Sequence, residues 1–339
     1  MNVSFASSDF QKELELLVTA IPSKPTMPVL SNVLIQASDE WLRLASSDME
    51  ISIVTFCHAN VVEPGTATIP AKHLLDVVRR LPGREINLVN EGPLEAAVRL
   101  TAGKYVTRIP TQNAAAYPKL PSITGLPQQT YTGNLKEMIR QVRFAISEKG
   151  KKYFMDGALF EGPRLVATDG HRMSLVGSPG MEALEDPIII PKKALGALYD
   201  FITPNAEIIY AVDDRNMFFV IDGRMLVCRR VEAKFPAYEK IIPVDPNASA
   251  TVPTAYLREA FQRTVLTSSD VIMTFHPETL TLTGRSSDIG EAMDQIDIHY
   301  EGNPGAQITL NGPSFLDFLG EAEDDQPIVM AWKDGGALL

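Results

Sequence analysis

Residues Thr68–Leu81 read TIPAKHLLDVVRRL: an extended β-branched run, a proline, then an amphipathic helix. Proline suits a first helical turn, where its missing N–H would have no partner. Leu74, Leu75, Val78 and Leu81 recur on one face at helical spacing, while Lys72, Asp76, Arg79 and Arg80 lie mostly off it. The spacing predicts a strand over 67–69 and a helix running on to Leu81.

The junction recurs. IIIPKKALGALYDFI (188–202) and ATVPTAYLREAFQRTV (250–265) repeat it with the proline, and QITLNGPSFLDFL (307–319) is a weaker copy. Two more, around Val3–Ile21 and Thr130–Ile146, lack the proline. Helix starts near Ser8, Pro70, Asn134, Pro191, Pro253 and Pro313 are separated by 62, 64, 57, 62 and 60 residues. A period twice as long lies on top. LASSD (44–48) is echoed by VATD (166–169) and RSSD (285–288), and AYPKLP (116–121) by KFPAYEKIIP (234–243). The chain therefore reads as three copies of a roughly 120-residue domain, an ordinary domain size. They are expected at 1–125, 130–245 and 250–339, with Pro- and Gly-punctuated linkers between them. By repeat arithmetic the third copy is short by about 20 residues, the length of a closing strand.

Each copy divides into two half-units in which one helix accompanies three or four short, alternating, turn-linked strands. Such strands favour antiparallel sheets, and one-striped helices pack on one side of them. The expected fold class is α+β: three similar domains, each of two β-α-β-β-β half-units, with helices on one side of antiparallel sheets.

With 339 residues, 45% apolar and 22% charged, the composition is that of a folded chain with several cores. The start, MNVSFASSDFQ, carries neither a basic n-region nor an apolar h-region, and no apolar run reaches membrane-spanning length. Cys57 and Cys228 lie in different copies and read as buried thiols, so the expected setting is a reducing cytoplasm without a membrane. A net charge of −11 argues against gripping nucleic acid over the whole surface, but leaves room for a basic strip.

Such a strip is suggested by the polar helix faces. Lys72, Arg79, Arg80 and Arg84 flank the second helix. Lys136, Arg140, Arg143, Lys149, Lys151 and Lys152 surround the third, Lys192 and Lys193 open the fourth, and Arg258 and Arg263 lie on the fifth. Phosphate contact is the functional reading and ordinary solvated faces the bland one. The first and sixth helices are not basic; the sixth carries Asp317 and Glu321. LVATDGHRM (165–173) is the densest polar cluster. Asp169, His171 and Ser174 nominally supply a catalytic set, but residues within six positions on alternating faces do not converge as a triad does. A turn bordering a binding pocket is the better reading. The five histidines are scattered, Cys57-His58 has no partners at ligand spacing, and neither GxxxxGK nor a strand-following GxGxxG occurs. No metal, cofactor or enzymatic activity is expected.

Several stretches together resemble the bacterial DNA polymerase III beta subunit family, the sliding clamps: SKPTMPVLSN (23–32), TIPAK (68–72), YFMDGALFE (153–161), ATDGHRM (167–173) and FPAY (235–238). The resemblance implies a DNA-clamp fold and a head-to-tail homodimeric ring. Such a ring encircles duplex DNA, is opened by a clamp loader, and tethers DNA polymerase and other proteins carrying a clamp-binding motif. It implies a peptide-binding pocket at Met155, Thr168, Gly170, His171, Arg172, Met173, Pro236, Lys240 and Ile241. Lys240 stands where the best-known clamps carry Arg, so a bidentate contact is not expected there. The family's Met- and Pro-containing C-terminal ending, which forms the other wall, is lacking. DNA contacts are implied at Lys24, Lys72, Lys149, Tyr153 and Phe154, to which the helix faces add Arg79, Arg80 and Arg143. The dimer interface is expected to join Lys104, Thr107 and Ile109 of one chain to Val265, Leu266 and Ile272 of the next. Two other readings remain open at this point: a repeat-built peptide-binding scaffold with no role on DNA, and an enzyme using Asp169 and His171.

Overall fold

A computed structural model describes residues 1–81, 85–92, 96–147, 155–178 and 183–333. The first copy supplies β1 (Asn2–Ala6), α1 (Ser7–Val18), β2 (Asn32–Ser38), β3 (Trp41–Ser47), β4 (Ile51–His58), β5 (Asn60–Glu63), β6 (Gly65–Pro70), α2 (Ala71–Val78), β7 (Glu85–Glu91), β8 (Ala97–Ala102) and β9 (Tyr105–Pro110). The second supplies β10 (Gln129–Tyr131), α3 (Leu135–Val142), β11 (Gly157–Phe160), β12 (Arg164–Thr168), β13 (Met173–Gly177), β14 (Ile188–Pro191), α4 (Lys192–Phe201), β15 (Ile208–Val212), β16 (Asn216–Ile221) and β17 (Arg224–Arg229). The third supplies β18 (Ala248–Val252), α5 (Thr254–Thr264), β19 (Asp270–His276), β20 (Thr279–Ser286), β21 (Gly290–Asp297), β22 (His299–Glu301), β23 (Ala306–Asn311), α6 (Gly312–Glu321) and β24 (Ile328–Trp332).

The six strand-to-helix junctions are present, with the prolines one step earlier than expected. Pro70, Pro191 and Pro253 are N-caps, with ψ of 111°, 147° and 122°. Pro70 and Pro191 are also the last residues of their strands, where a residue without an N–H ends a ladder and leaves no donor stranded. At α6 the proline does lie inside the helix, and Asn311 caps it by accepting from the Ser314 N–H at 3.0 Å. Helix α2 stops at Val78, so Arg79 and Arg80 occupy its terminal turn.

Chain contacts define two compact units. The first comprises residues 1–139, 146–167 and 175–233. Its sheets run β5-β1-β7-β8-β9, β13-β12-β11-β14 and, with eight strands, β10-β15-β16-β17-β4-β3-β2-β6. The long sheet joins two copies: β17 pairs antiparallel with β4, Met225 opposite Val54 and Cys228 opposite Ile51. This explains why Ile51–Thr55 is buried without alternation; a strand covered on both faces needs no polar side. Phe10, Leu14 and Leu17 of α1 are fully buried. The segment expected to be a linker covers part of the sheet: Leu120 packs with Val54 and Tyr117, and Ile123 and Leu126 with Phe218 and Val227. Glu13 and Arg224 link the copies with hydrogen bonds of 2.8 and 2.6 Å. Gly157 is required by close approach, since a Cβ there would lie 2.2 Å from the Ile190 carbonyl oxygen.

The second unit comprises residues 140–145, 168–174 and 234–339. Its described sheets run β22-β18-β24 and β21-β20-β19-β23. Leu257 and Phe261 of α5 and Leu319 of α6 share a core with Met273, Phe275 and Trp332. Tyr300 and Trp332 stack at 5.8 Å, and Phe261 and Phe315 hold the two helices together at 4.7 Å. All pairings between described strands are antiparallel. Among the described residues no helix is long and apolar enough to cross a membrane.

Candidate functional site

The turn that follows β12 is built around Asp169. Its Oδ1 accepts from the His171 and Arg172 N–H groups at 2.9 and 3.0 Å, and its Oδ2 from Arg172 Nε at 3.0 Å. Thr168 Oγ1 donates to the Arg172 carbonyl at 2.7 Å and accepts from the Gly170 N–H at 3.1 Å. Gly170 holds φ of 91°, which the turn needs and L side chains rarely adopt. Burial alone would raise the Asp169 carboxyl, but the N–H donations and the Arg172 guanidinium outweigh it and hold the group below the ordinary carboxylate range. The Ser174 hydroxyl donates to the Gln141 carbonyl at 2.7 Å. Asp169 and Ser174 are therefore committed to the backbone around them, and the Asp169–His171–Ser174 set does not form a relay.

The same construction recurs at the aspartate of the first copy. Asp48 accepts from the Glu50 and Ile51 N–H groups at 2.9 and 2.7 Å. In the third copy Ser286, two residues before Asp288, accepts from Asp288 and Ile289 instead. The echo at 48, 169 and 288 thus marks a turn that fixes the end of a hairpin.

Arg172 is held on every side. Beyond Asp169, its Nη1 donates to Asp317 Oδ2 at 2.7 Å and to the Ser314 carbonyl at 2.8 Å, and its guanidinium lies 5.4 Å from the Phe144 ring centroid. Arg172 ties the turn to α6, and sequence reasoning did not connect Phe144, Ser314 or Asp317 to it. Gly170 and His171 are exposed and Met173 is half-buried. Phe235 and Tyr238 anchor the FPAY stretch edge-on at 6.4 Å, leaving Pro236, Lys240 and Ile241 exposed beside them. These residues and the 168–174 turn belong to the second compact unit. Met155, half-buried, falls in the first, its carbonyl accepting from the Ser147 N–H.

The basic helix faces are partly neutralised. Lys24 and Lys72 are exposed. Arg79 is clamped to Glu15 at 3.1 and 2.9 Å, and Arg80 to the Asp76 carbonyl at 2.7 Å. Arg143 lies 3.7 Å from Glu321, which also accepts from Arg140 at 2.6 Å. Lys193 pairs with Asp48. Arg258 donates to the Leu319 and Ala322 carbonyls at the end of α6, capping that helix. Of the other expected DNA contacts, Lys149, Tyr153 and Phe154 lie outside the described residues.

The expected interface residues differ in exposure and in strand position. Ile109 is fully buried, because in YVTRIP it faces the sheet core. Ile272 belongs to β19, which is paired on both sides and has no free edge. Val265 packs against the core of the third copy, whereas Leu266 is 76% exposed and Lys104 is exposed beside a half-buried Thr107. Among the described strands, β9 and β21 each lie at one edge of their sheets. Val106 on β9 is 56% exposed, and Ile289 and Met293 at β21 are 68% and 64% exposed. The alternation within YVTRIP carried the first of these signals.

Helix-backed antiparallel sheets with tight polar turns, repeated along the chain, define a repeat-built α+β protein. Profiles of the DNA polymerase III beta subunit match its N-terminal domain over residues 1–121, its central domain over 129–237 and its C-terminal domain over 239–333, and the chain belongs to that family. The beta sliding clamp of Caulobacter vibrioides is 27% identical, with 96% of this chain and 92% of the relative covered. That of Escherichia coli K12 is 27% identical over 91% of this chain and 87% of its own. The crystal structure of the DNA polymerase III subunit beta from Pseudomonas aeruginosa superposes with a TM-score of 0.89 at 25% identity, covering 98% of this chain and 93% of the other. The function is that of a DNA sliding clamp, a processivity factor of replication and not an enzyme.

Proposed function

We propose that two copies of the chain join head to tail into a ring around duplex DNA and hold a replicative polymerase there. The observation that carries this reading is the β17–β4 ladder, by which one copy continues the sheet of another. In strand order β17 corresponds to β9 and β4 to β21. The same rule joins β9 of one chain to β21 of the next. Exposed Val106 then meets Ile289 and Met293. Lys104 beside β9 complements Asp297 on β21, while Arg108, Glu291 and Asp294 are held by Glu91, Arg285 and Arg263 of their own sheets and helix. Pairing an open edge removes its unsatisfied ladder, and a heterologous contact that closes yields a ring rather than a filament.

Within the ring, Lys24 and Lys72 are the described cations best suited to phosphate, with Arg79, Arg80 and Arg143 contributing less because carboxylates already hold them. Few, weak contacts suit sliding. Tethering works through effective concentration, returning a dissociated polymerase to the same template. The partner-binding surface on the second unit comprises Thr168, Gly170, His171, Met173, Pro236, Lys240 and Ile241, and Met155 of the first unit is a separate candidate contact. Arg172 positions that surface through Asp169 and Asp317. A clamp loader is the expected means of opening the ring. The three domains are assigned to 1–125, 130–245 and 250–339. Sedimentation equilibrium tests the assembly: a mass twice the 37.2 kDa of the chain is expected, and a monomer at micromolar concentration contradicts it.

A further inference from the structure

Two hairpin tips and two exposed aromatic rings frame a groove in the first unit that the clamp reading does not use. β2 and β3 close on Asp39–Glu40, and β16 and β17 on Asp222–Gly223. Asp39 and Asp222 hold φ of 52° and 49°, the left-handed conformation that a short polar side chain tolerates. Each tip thus carries a carboxylate where its turn wants one. The β17–β4 ladder ends at Met225 and Val54. Continuing the register sets Gly223, with no side chain, opposite Phe56, and there a groove of about 560 Å³ opens, lined by Asp39, Trp41, Phe56, Asp222, Gly223 and Arg224 among others. That volume is usual for ligand sites.

Trp41 and Phe56 are 49% and 44% exposed. The β3–β4 register makes them diagonal neighbours on one sheet face. Arg224, the cation in the lining, is bound by Glu13 through two hydrogen bonds. Asp222 accepts from the Thr203 hydroxyl at 2.7 Å. His58 rests edge-on against Trp41 at 5.4 Å, with Glu40 4.0 Å from its Nε2. Arg43, further along the face, donates to Gln36 at 2.6 Å. Asp39, Glu40 and Asp222 therefore leave the site negative.

We propose that this groove binds an arginine side chain presented by a partner protein. A guanidinium is planar and weakly hydrated, so it stacks on Trp41 or Phe56 while its N–H fork reaches the carboxylates. Lysine, a compact and strongly hydrated point charge, matches the flat rings less well. The same carboxylates repel phosphate, which separates this surface from any that meets DNA.

The intact protein is titrated with acetyl-Gly-Arg-Gly-amide and with its citrulline counterpart, equal in shape and neutral, by tryptophan emission and calorimetry. Trp332 is buried, so a change in emission reports Trp41. Saturable binding of the arginine peptide is expected, weaker by about tenfold or more for citrulline and in Asp39→Asn/Asp222→Asn. Asparagine accepts the same φ, and an unchanged Tm verifies the fold; Trp41→Ala, at an exposed site, provides a second loss read by calorimetry. Equal binding of citrulline, unaltered binding in these variants, or no saturation overturns the proposal.

Discussion

Met225 of β17 stands opposite Val54 of β4, placing strands from two sequence copies in one antiparallel sheet. That pairing turns a repeat in the sequence into a rule of assembly. Applied to the open edges, it predicts that Val106→Glu, which sets a charge beside the acidic β21, converts a dimer to a monomer with little change in the stability of the chain. Sedimentation and thermal melting check both halves. Ile109→Ala should do the reverse. It should cost about 2–5 kcal/mol of stability by leaving a cavity in the sheet core while leaving the edge chemistry in place.

Arg172 bears on the partner surface indirectly. Arg172→Ala strips Asp169 and Asp317 of a charged donor and the Ser314 carbonyl of its hydrogen bond, and is expected to lower stability by about 1–3 kcal/mol. Partner-peptide affinity should fall with it, because the turn loses its strut. Arg172→Lys keeps the charge but not the fork and should recover only part of the stability. Chemical denaturation and peptide titration distinguish these outcomes from a direct ligand contact, which would lower affinity at constant stability.

The Asp169 turn makes stability depend on pH. A carboxyl held below its unfolded value, near ~3.9, contributes stability that is fully present above that value and is lost as pH falls through the lower folded value. Urea midpoints measured from neutral pH downward should fall for the wild type below about pH 4. Asp169→Asn, already weaker at neutral pH, should fall less over the same range. Parallel curves would show that the carboxylate contributes nothing.

Lys72 and Arg79 lie at opposite ends of α2 and differ in their partners. Arg79 is held by Glu15, which it keeps below the ordinary carboxylate range by hydrogen bonding. Lys72→Ala should therefore weaken DNA binding and reduce the salt slope by about one phosphate, and Arg79→Ala should have a smaller effect. Affinity measured across a salt series decides between them.

The contrast shows what was legible in the sequence. Six strand-to-helix junctions, the antiparallel sheets and the tripled plan follow from local period and turn chemistry, which act over a few residues. What was not legible depends on pairs far apart in the chain. Glu15 takes Arg79 and Asp317 takes Arg172, and neither pairing has a local signature. The partnership of β17 with β4 was hidden in the same way, although the unbroken burial of Ile51–Thr55 is its trace. Short strands such as β5 and β13 lack the length for a period to register. At β9 the alternation was visible: Ile109 faces the sheet core while Val106 is exposed.

Topology tests the ring most directly. The chain is loaded by its clamp loader onto nicked circular duplex DNA, separated from free protein, and the circle is then cut once. The account predicts that the protein stays on the intact circle and is lost from the linear product by sliding off its ends. Equal retention on cut and uncut DNA would contradict encirclement.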